Sequence, residues 1–123
     1  MQKSSFEKTI YFSFQIMCTM YQKCRLIHAD LSEYNMLWHD DKVWFIDVSQ
    51  SVEPSHPHAL EFLYRDCKNV VEFFTKCGVP DVAPAHELFN KVTQLGITPD
   101  TEQDFLSQVT SLKKHLLDRK SVV

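Results

Sequence analysis

The sequence predicts a mainly helical α+β domain. Four stretches carry apolar residues at helical spacing, and one short stretch reads as two strands around a polar turn. Glycine is nearly absent, with Gly78 and Gly96 standing at two helix ends. The chain has 123 residues, 44% of them hydrophobic and 24% charged, enough apolar content for a packed core and too much for global disorder.

The elements follow in order. Ser4 and Glu7 stand at capping-box spacing and start a first helix. Phe6, Ile10, Phe14, Met17 and Tyr21 line one face of it to about Lys23, a stripe best taken as core. Leu26-Ile27 is short and apolar, and His28 to Asn35 is polar and loop-like. Met36-Leu37-Trp38 and Val43-Trp44-Phe45-Ile46 read as strands around the turn His39-Asp40-Asp41-Lys42, and Asp47 follows directly. Pro54 and Pro57 mark Ser49 to His58 as an ordered loop. Leu60, Leu63, Cys67, Val70, Val71 and Phe74 give the face of a second helix ending near Gly78. A third helix spans roughly Ala85 to Leu95, with Leu88, Val92 and Leu95 inward. Thr98 as N-cap and Pro99 in the first turn start the last helix. Phe105, Val109, Leu112 and Leu116 line its face, and Lys113, Lys114, Arg119 and Lys120 crowd its C-terminal part, where positive charge suits the helix dipole.

Composition excludes several function classes. The formal net charge is −3 and no basic stripe or tail is present, so there is no direct nucleic-acid signature. Cys18, Cys24, Cys67 and Cys77 contain no C-x-x-C pair and read as reduced, mostly buried thiols rather than a zinc site. Lys3, Glu7 and Lys8 break any signal-peptide shape, and no stretch approaches a membrane span. The expected location is cytoplasmic.

The informative stretch is His28-Ala29-Asp30-Leu31-Ser32-Glu33-Tyr34-Asn35, followed by Ile46-Asp47. A protein-kinase catalytic loop reads H-R-D-L-x-x-x-N, with the Asp as base and the Asn on a metal. The spacing from Asp30 to Asn35 matches, Leu31 matches, and Ala29 replaces the Arg. Asp47 stands where a kinase places its D-F-G aspartate. Phosphoryl transfer needs cations to neutralise the phosphate oxygens, and Mg²⁺ takes oxygen ligands such as Asn35 and Asp47 can supply. Asp30 is placed to accept or orient the proton of the attacking hydroxyl. His28 reads as a brace for the loop. One H-x-D-x-x-x-x-N match is a moderate signal that chance can produce; the ordered pair of motifs around a hairpin is much stronger. Ser32 and Glu33 read first as loop-surface residues, and His56 and His58 as parts of a proline-bounded loop rather than a metal pair. Asp66, in an otherwise apolar helix, is either part of a solvated face or a brace under the catalytic loop.

From Leu26 to Phe74 the chain resembles the RIO kinase family. Beyond the catalytic-loop stretch, the resemblance rests on Ile46-Asp47-Val48-Ser49-Gln50-Ser51-Val52, His56-Pro57-His58-Ala59-Leu60-Glu61-Phe62-Leu63, Arg65-Asp66-Cys67 and Asn69-Val70. Trp38 and Glu53-Pro54 look closest to the third, animal subfamily, with the first subfamily next. The likeness weakens towards Leu117, and the first dozen residues look unlike the family. The resemblance implies a protein-kinase-like (RIO) C-terminal lobe over residues 25–118, with a leading helix over 1–24 and a tail over 119–123. It implies an ATP- and Mg²⁺-dependent serine/threonine protein kinase or ATPase lacking the usual activation segment and peptide-docking helices. Asp30 would be the catalytic aspartate, Asn35 and Asp47 the metal ligands, and Asp47 also a phospho-acceptor. His28 and Asp66 would be structural supports. Partners implied are pre-40S ribosomal particles or innate immune signalling proteins.

The departure from the family is specific. A kinase needs a Gly-rich loop over the phosphates and a strand lysine. The chain has no glycine before Gly78, and Lys3, Lys8 and Lys23 lie in or near the first helix. The expectation is that the ATP-binding N-lobe is absent, no nucleotide-binding residue is identifiable, and these residues alone are inactive. Two other readings stand beside the kinase. One is a non-catalytic interaction module derived from a RIO kinase. The other is a small-molecule phosphotransferase of the aminoglycoside or choline kinase type, against which Ser49-Gln50-Ser51-Val52 and His56-Pro57-His58 count.

Overall fold

A computed structural model gives the fold; it describes residues 3–40 and 42–121, with side-chain surroundings for 7–37, 39–40 and 42–113. Ser4, Phe6, Asp41, Lys114, Leu116, Arg119 and Lys120 were assigned sequence roles that fall outside those described side chains, as does the side chain of Trp38.

The elements are helix α1 (Lys3–Gln22), strands β1 (Met36–His39) and β2 (Lys42–Phe45), and helices α2 (Ala59–Lys76), α3 (Ala85–Thr93) and α4 (Glu102–Ser121). The architecture is mainly helical with one antiparallel hairpin, as the periodicities require. On α1 the buried stripe runs through Thr9, Ser13 and Met17, with Ile10, Phe14 and Tyr21 only partly buried against the core. The polar members are tolerated because Ser13 Oγ donates to the Thr9 carbonyl at 2.8 Å.

Helix α2 is the centre of the core. Leu60, Leu63, Tyr64, Cys67, Val70 and Phe74 are all buried on it. Helices α3 and α4 pack on α2, and α1 packs on α3. Tyr64, Phe89 and Phe105 join α2, α3 and α4 in one aromatic cluster, with Phe89 edge-on to Phe105 at 5.1 Å and Tyr64 4.5 Å from Phe105. Burial, then the neighbouring Glu102 carboxylate, pushes the Tyr64 phenol up to about 12.

The end of α2 shows why Gly78 is there. Val79 N–H donates to the Phe74 carbonyl at 3.2 Å and Gly78 N–H to the Thr75 carbonyl at 3.1 Å, the double bond of a Schellman motif. Gly78 takes φ 89°, and Val79 packs into the core beside Phe74. An added Cβ at Gly78 would meet nothing within 4 Å, so backbone strain alone sets its cost. Gly78→Ala is expected to destabilise the fold by about 1 kcal/mol in a urea titration.

Three sequence expectations need correction. Helix α3 ends at Thr93 rather than near Leu95, because Gln94 turns left-handed at φ 64°. Helix α4 starts at Glu102, not at Thr98-Pro99. The cap is Thr101, whose Oγ accepts the Asp104 N–H at 3.0 Å. Asn90 ties down the preceding segment: its side chain binds both the Ile97 N–H (2.9 Å) and the Ile97 carbonyl (2.7 Å). The cysteines are all free, but only Cys67 is fully buried; Cys18 and Cys77 are half-buried and Cys24 is exposed. Burial pushes the Cys67 thiol well up and the Cys18 thiol up. Among the described residues, no helix is long and apolar enough to cross a membrane.

Candidate active site

The site is built on the loop between α1 and β1. Ile27 and Val52 form an antiparallel bridge, exchanging backbone bonds of 2.8 and 2.9 Å. The hairpin pairs Met36 with Phe45 and Leu37 with Trp44, and Ile46 N–H extends the ladder to the Asn35 carbonyl at 3.0 Å. Bridge and hairpin together set residues 28–35 beside Ile46-Asp47. Strand β2 ends at Phe45, one residue before the expected Ile46.

Every backbone N–H and C=O from Ala29 to Leu31 has a side-chain partner. Ala29 N–H donates to Asp66 Oδ2 at 2.7 Å, and the Ala29 carbonyl accepts from the Arg65 guanidinium. Asp30 N–H donates to His28 Nδ1 at 3.2 Å, and its carbonyl accepts from Asn35 Nδ2 at 2.6 Å. Leu31 N–H donates to Asp66 Oδ1 at 3.0 Å, and its carbonyl accepts from Asn69 Nδ2 at 3.0 Å. A loop with no regular ladder must satisfy its backbone somehow, and here α2 does most of it.

This lattice explains the conformation of Ala29. Its φ of 73° lies in the left-handed region, which costs a non-glycine residue about 1–3 kcal/mol. Asp66 and Arg65 grip its N–H and carbonyl respectively and hold it there. The Asp66 carboxylate is 1% exposed, so it is a brace and not part of a solvated face. His28 is buried and bridges the two halves of the site: Nδ1 takes the Asp30 N–H, so Nε2 carries the proton and donates to the Ile46 carbonyl at 2.8 Å.

Asn35 and Ser32 form a reciprocal cap on the short 3₁₀ turn Glu33–Asn35. Ser32 Oγ accepts the Tyr34 N–H at 3.2 Å, and Asn35 Oδ1 accepts the Ser32 N–H at 2.7 Å. Ser32 is therefore a half-buried structural residue and not a surface one, whereas Glu33 is exposed. Asp47 is exposed and also left-handed, at φ 58°, with Oδ1 accepting from Ser49 Oγ at 3.3 Å. Asp30 is exposed at the tip of the braced loop.

Arg65 and Asn69 went unassigned in the sequence reading. Their signal was their spacing: with Asp66 they fall on one face of α2 at i, i+1 and i+4. The histidines extend the brace outward. His56 and His58 pack on Phe62 at 5.4 and 6.1 Å, and the Arg65 guanidinium lies 5.2 Å from the same ring. His56 Nδ1 accepts the His58 N–H at 3.0 Å, consistent with a structural loop.

Burial raises the pKa of the Asp66 carboxyl; the Leu31 and Ala29 N–H groups oppose the shift without cancelling it. A folded pKa above the unfolded one contributes stability that is fully present below the ordinary carboxylate value of about 4 and is lost as pH rises through the raised value. The stability advantage of wild type over Asp66→Asn should therefore narrow as pH rises across that window. Urea midpoints measured from acid to neutral pH check this.

A family model described as "RIO domain" matches residues 1–87, more than half of the chain. The chain belongs to the RIO kinase family. The match takes in the first dozen residues, which by themselves look unlike the family. The human serine/threonine-protein kinase RIO3 is 56% identical over 108 residues, covering 88% of this chain and 21% of that protein. The mouse RIO3 kinase is 58% identical over 104 residues, covering 85% of this chain and 20% of that protein. The human serine/threonine-protein kinase RIO1 is 52% identical over 98 residues, covering 80% of this chain and 17% of that protein. The chain thus spans about a fifth of the length of the RIO relatives it matches.

Proposed function

We propose that these residues form the acceptor and metal side of an ATP- and Mg²⁺-dependent serine/threonine kinase or ATPase site. The supporting observation is the side-chain lattice that fixes residues 29–31 and leaves Asp30 exposed beside Asn35 and Asp47. Preorganisation of this kind suits a reaction in which positioning and electrostatics do most of the work.

The donor set suits Mg²⁺. Asn35 Oδ1 accepts one N–H and keeps a second lone pair, while Asp47 adds an exposed carboxylate. Mg²⁺ characteristically takes few protein oxygens and completes its shell with water and phosphate. Bound there, it would neutralise charge developing on the transferred group. Asp30 accepts the proton of the attacking hydroxyl as the new P–O bond forms and the bond to ADP breaks. His28 and Asn35 keep the Asp30 backbone fixed during that transfer. Leu37, Trp44 and Ile46 are exposed, and Leu37 and Trp44 are cross-strand partners. They offer an apolar surface next to the metal residues on which a nucleobase can stack.

The relatives named above are all called serine/threonine-protein kinases, which favours a polypeptide substrate over a small-molecule one. Asp47 as phospho-acceptor, ribosomal-precursor or signalling partners and a cytoplasmic location belong to the same proposal by likeness to the family. The interaction-module reading is favoured by one observation. An apolar groove of about 390 Å³ runs along α1 and β2, lined by Phe12, Ile16, Met20 and Val43.

The 123 residues alone carry no phosphate-cradling glycine loop, so half of a positioning machine is present. The isolated chain is expected to bind ATP very weakly and to show no appreciable turnover. Steady-state ATPase assays with Mg²⁺, run beside a full-length RIO kinase carrying these residues, test this. Robust Asp47-dependent hydrolysis by the isolated chain would overturn it.

A further inference from the structure

Tyr34 is 83% exposed, more than any other large apolar side chain among the described residues. It sits between Asp30 and Asn35, on the one turn of the loop that both ends of a capping box hold rigid. Its backbone is fixed by Ser32 Oγ, yet its ring has no ring partner and no cation over it among the described contacts. A tyrosine whose backbone is held while its ring faces solvent offers a large contact area with only two side-chain torsions to fix, which is why such residues anchor interfaces. Between Asp47 and the start of α2 there is only one 3₁₀ turn, Val48–Gln50, and an irregular loop.

The charge of the same loop and of the segment paired with it selects the occupant. Asp30, Glu33 and Asp47 are all exposed and acidic, and Glu33 adjoins Tyr34 directly. An aromatic face with a carboxylate beside it binds a guanidinium or ammonium through the ring quadrupole and the opposite charge together. We propose that Tyr34 is a positioning residue for the polypeptide substrate, taking an arginine or lysine side chain near the acceptor hydroxyl, with Glu33 as its charge partner. The inference rests on the kinase reading above and deepens it by naming a basic acceptor segment.

The test uses a full-length RIO kinase carrying these residues and synthetic serine peptides in which a single arginine is scanned through the positions flanking the serine. Binding is measured by fluorescence anisotropy and phosphorylation by initial rates. One arginine position should bind and react better than its alanine-matched peptide. Tyr34→Ala should erase that preference, raising the KM for the arginine peptide roughly two- to fivefold, while Tyr34→Phe retains it because the ring and not the hydroxyl is used. Glu33→Gln should weaken it and make the remainder less sensitive to salt. Equal binding of arginine and alanine peptides by wild type, or a preference that survives Tyr34→Ala, overturns the proposal. Because binding is read without turnover, a protein that binds the arginine peptide through Tyr34 but hydrolyses no ATP would sink the kinase reading and leave the recognition surface standing.

Discussion

Asp47→Ala and Asp30→Ala, each made in a full-length RIO kinase carrying these residues, are expected to abolish measurable phosphotransfer and ATP hydrolysis. The two losses have different causes. Asp47 is an exposed carboxylate on a left-handed residue, reached one step after the Ile46–Asn35 backbone bond. On the proposed reading, removing it would take away a hard, charged Mg²⁺ ligand and leave Asn35 as a neutral oxygen already sharing its Oδ1 with the Ser32 N–H. Asp30 has no ligand role in that reading; its loss would remove proton acceptance and orientation, which typically cost 10²–10⁴ in rate. A titration of rate against Mg²⁺ separates them. Added Mg²⁺ should partly restore an Asp47→Asn variant and should do nothing for Asp30→Ala. Full activity of either alanine variant would end the assignment of these carboxylates.

The second large effect is expected at Asp66, which touches no substrate. Asp66→Ala orphans the N–H groups of Ala29 and Leu31, both in the buried loop base. Each unsatisfied buried group costs about 1–3 kcal/mol, so a loss of roughly 2–6 kcal/mol is expected for the two. The variant also frees Ala29 from its left-handed conformation, so the Asp30 backbone loses its fixed position. Stability and activity should therefore fall together, in contrast to Asp30→Ala, which should leave the denaturation midpoint nearly unchanged. Urea unfolding and phosphotransfer rates on the same preparations provide the comparison. Asn69→Ala, which removes only the bond to the Leu31 carbonyl, should cost less. An Asp66→Ala protein as stable as wild type would show that the loop base is held by other means.

Much of this molecule was written locally. Helix faces on α2, α3 and α4 follow from side-chain spacing, since apolar residues three and four apart must share a face whatever they pack against. The hairpin follows from two short apolar runs around a polar turn, and the end of α2 from Gly78, which takes the left-handed conformation that a Schellman motif requires. The candidate site was legible because Asp30, Asn35 and Asp47 lie in one short run with fixed spacing, and family likeness extended that reading to Asp66.

What only the tertiary structure decided involves partners distant in sequence. Arg65, Asp66 and Asn69 reach loop groups 35 to 38 residues away, and no local pattern states that α2 lies under that loop. Thr98 and Thr101 are both suitable caps by local chemistry. The choice fell to Thr101 because Asn90, on another helix, engages both backbone groups of the buried Ile97 just before Thr98. Ser32 reads as loop surface but is half-buried, because its Oγ accepts the Tyr34 N–H. Spacing along the chain settles which side chains share a face. Packing settles which backbone groups those side chains must satisfy, and here that second step fixes the loop on which Asp30 stands.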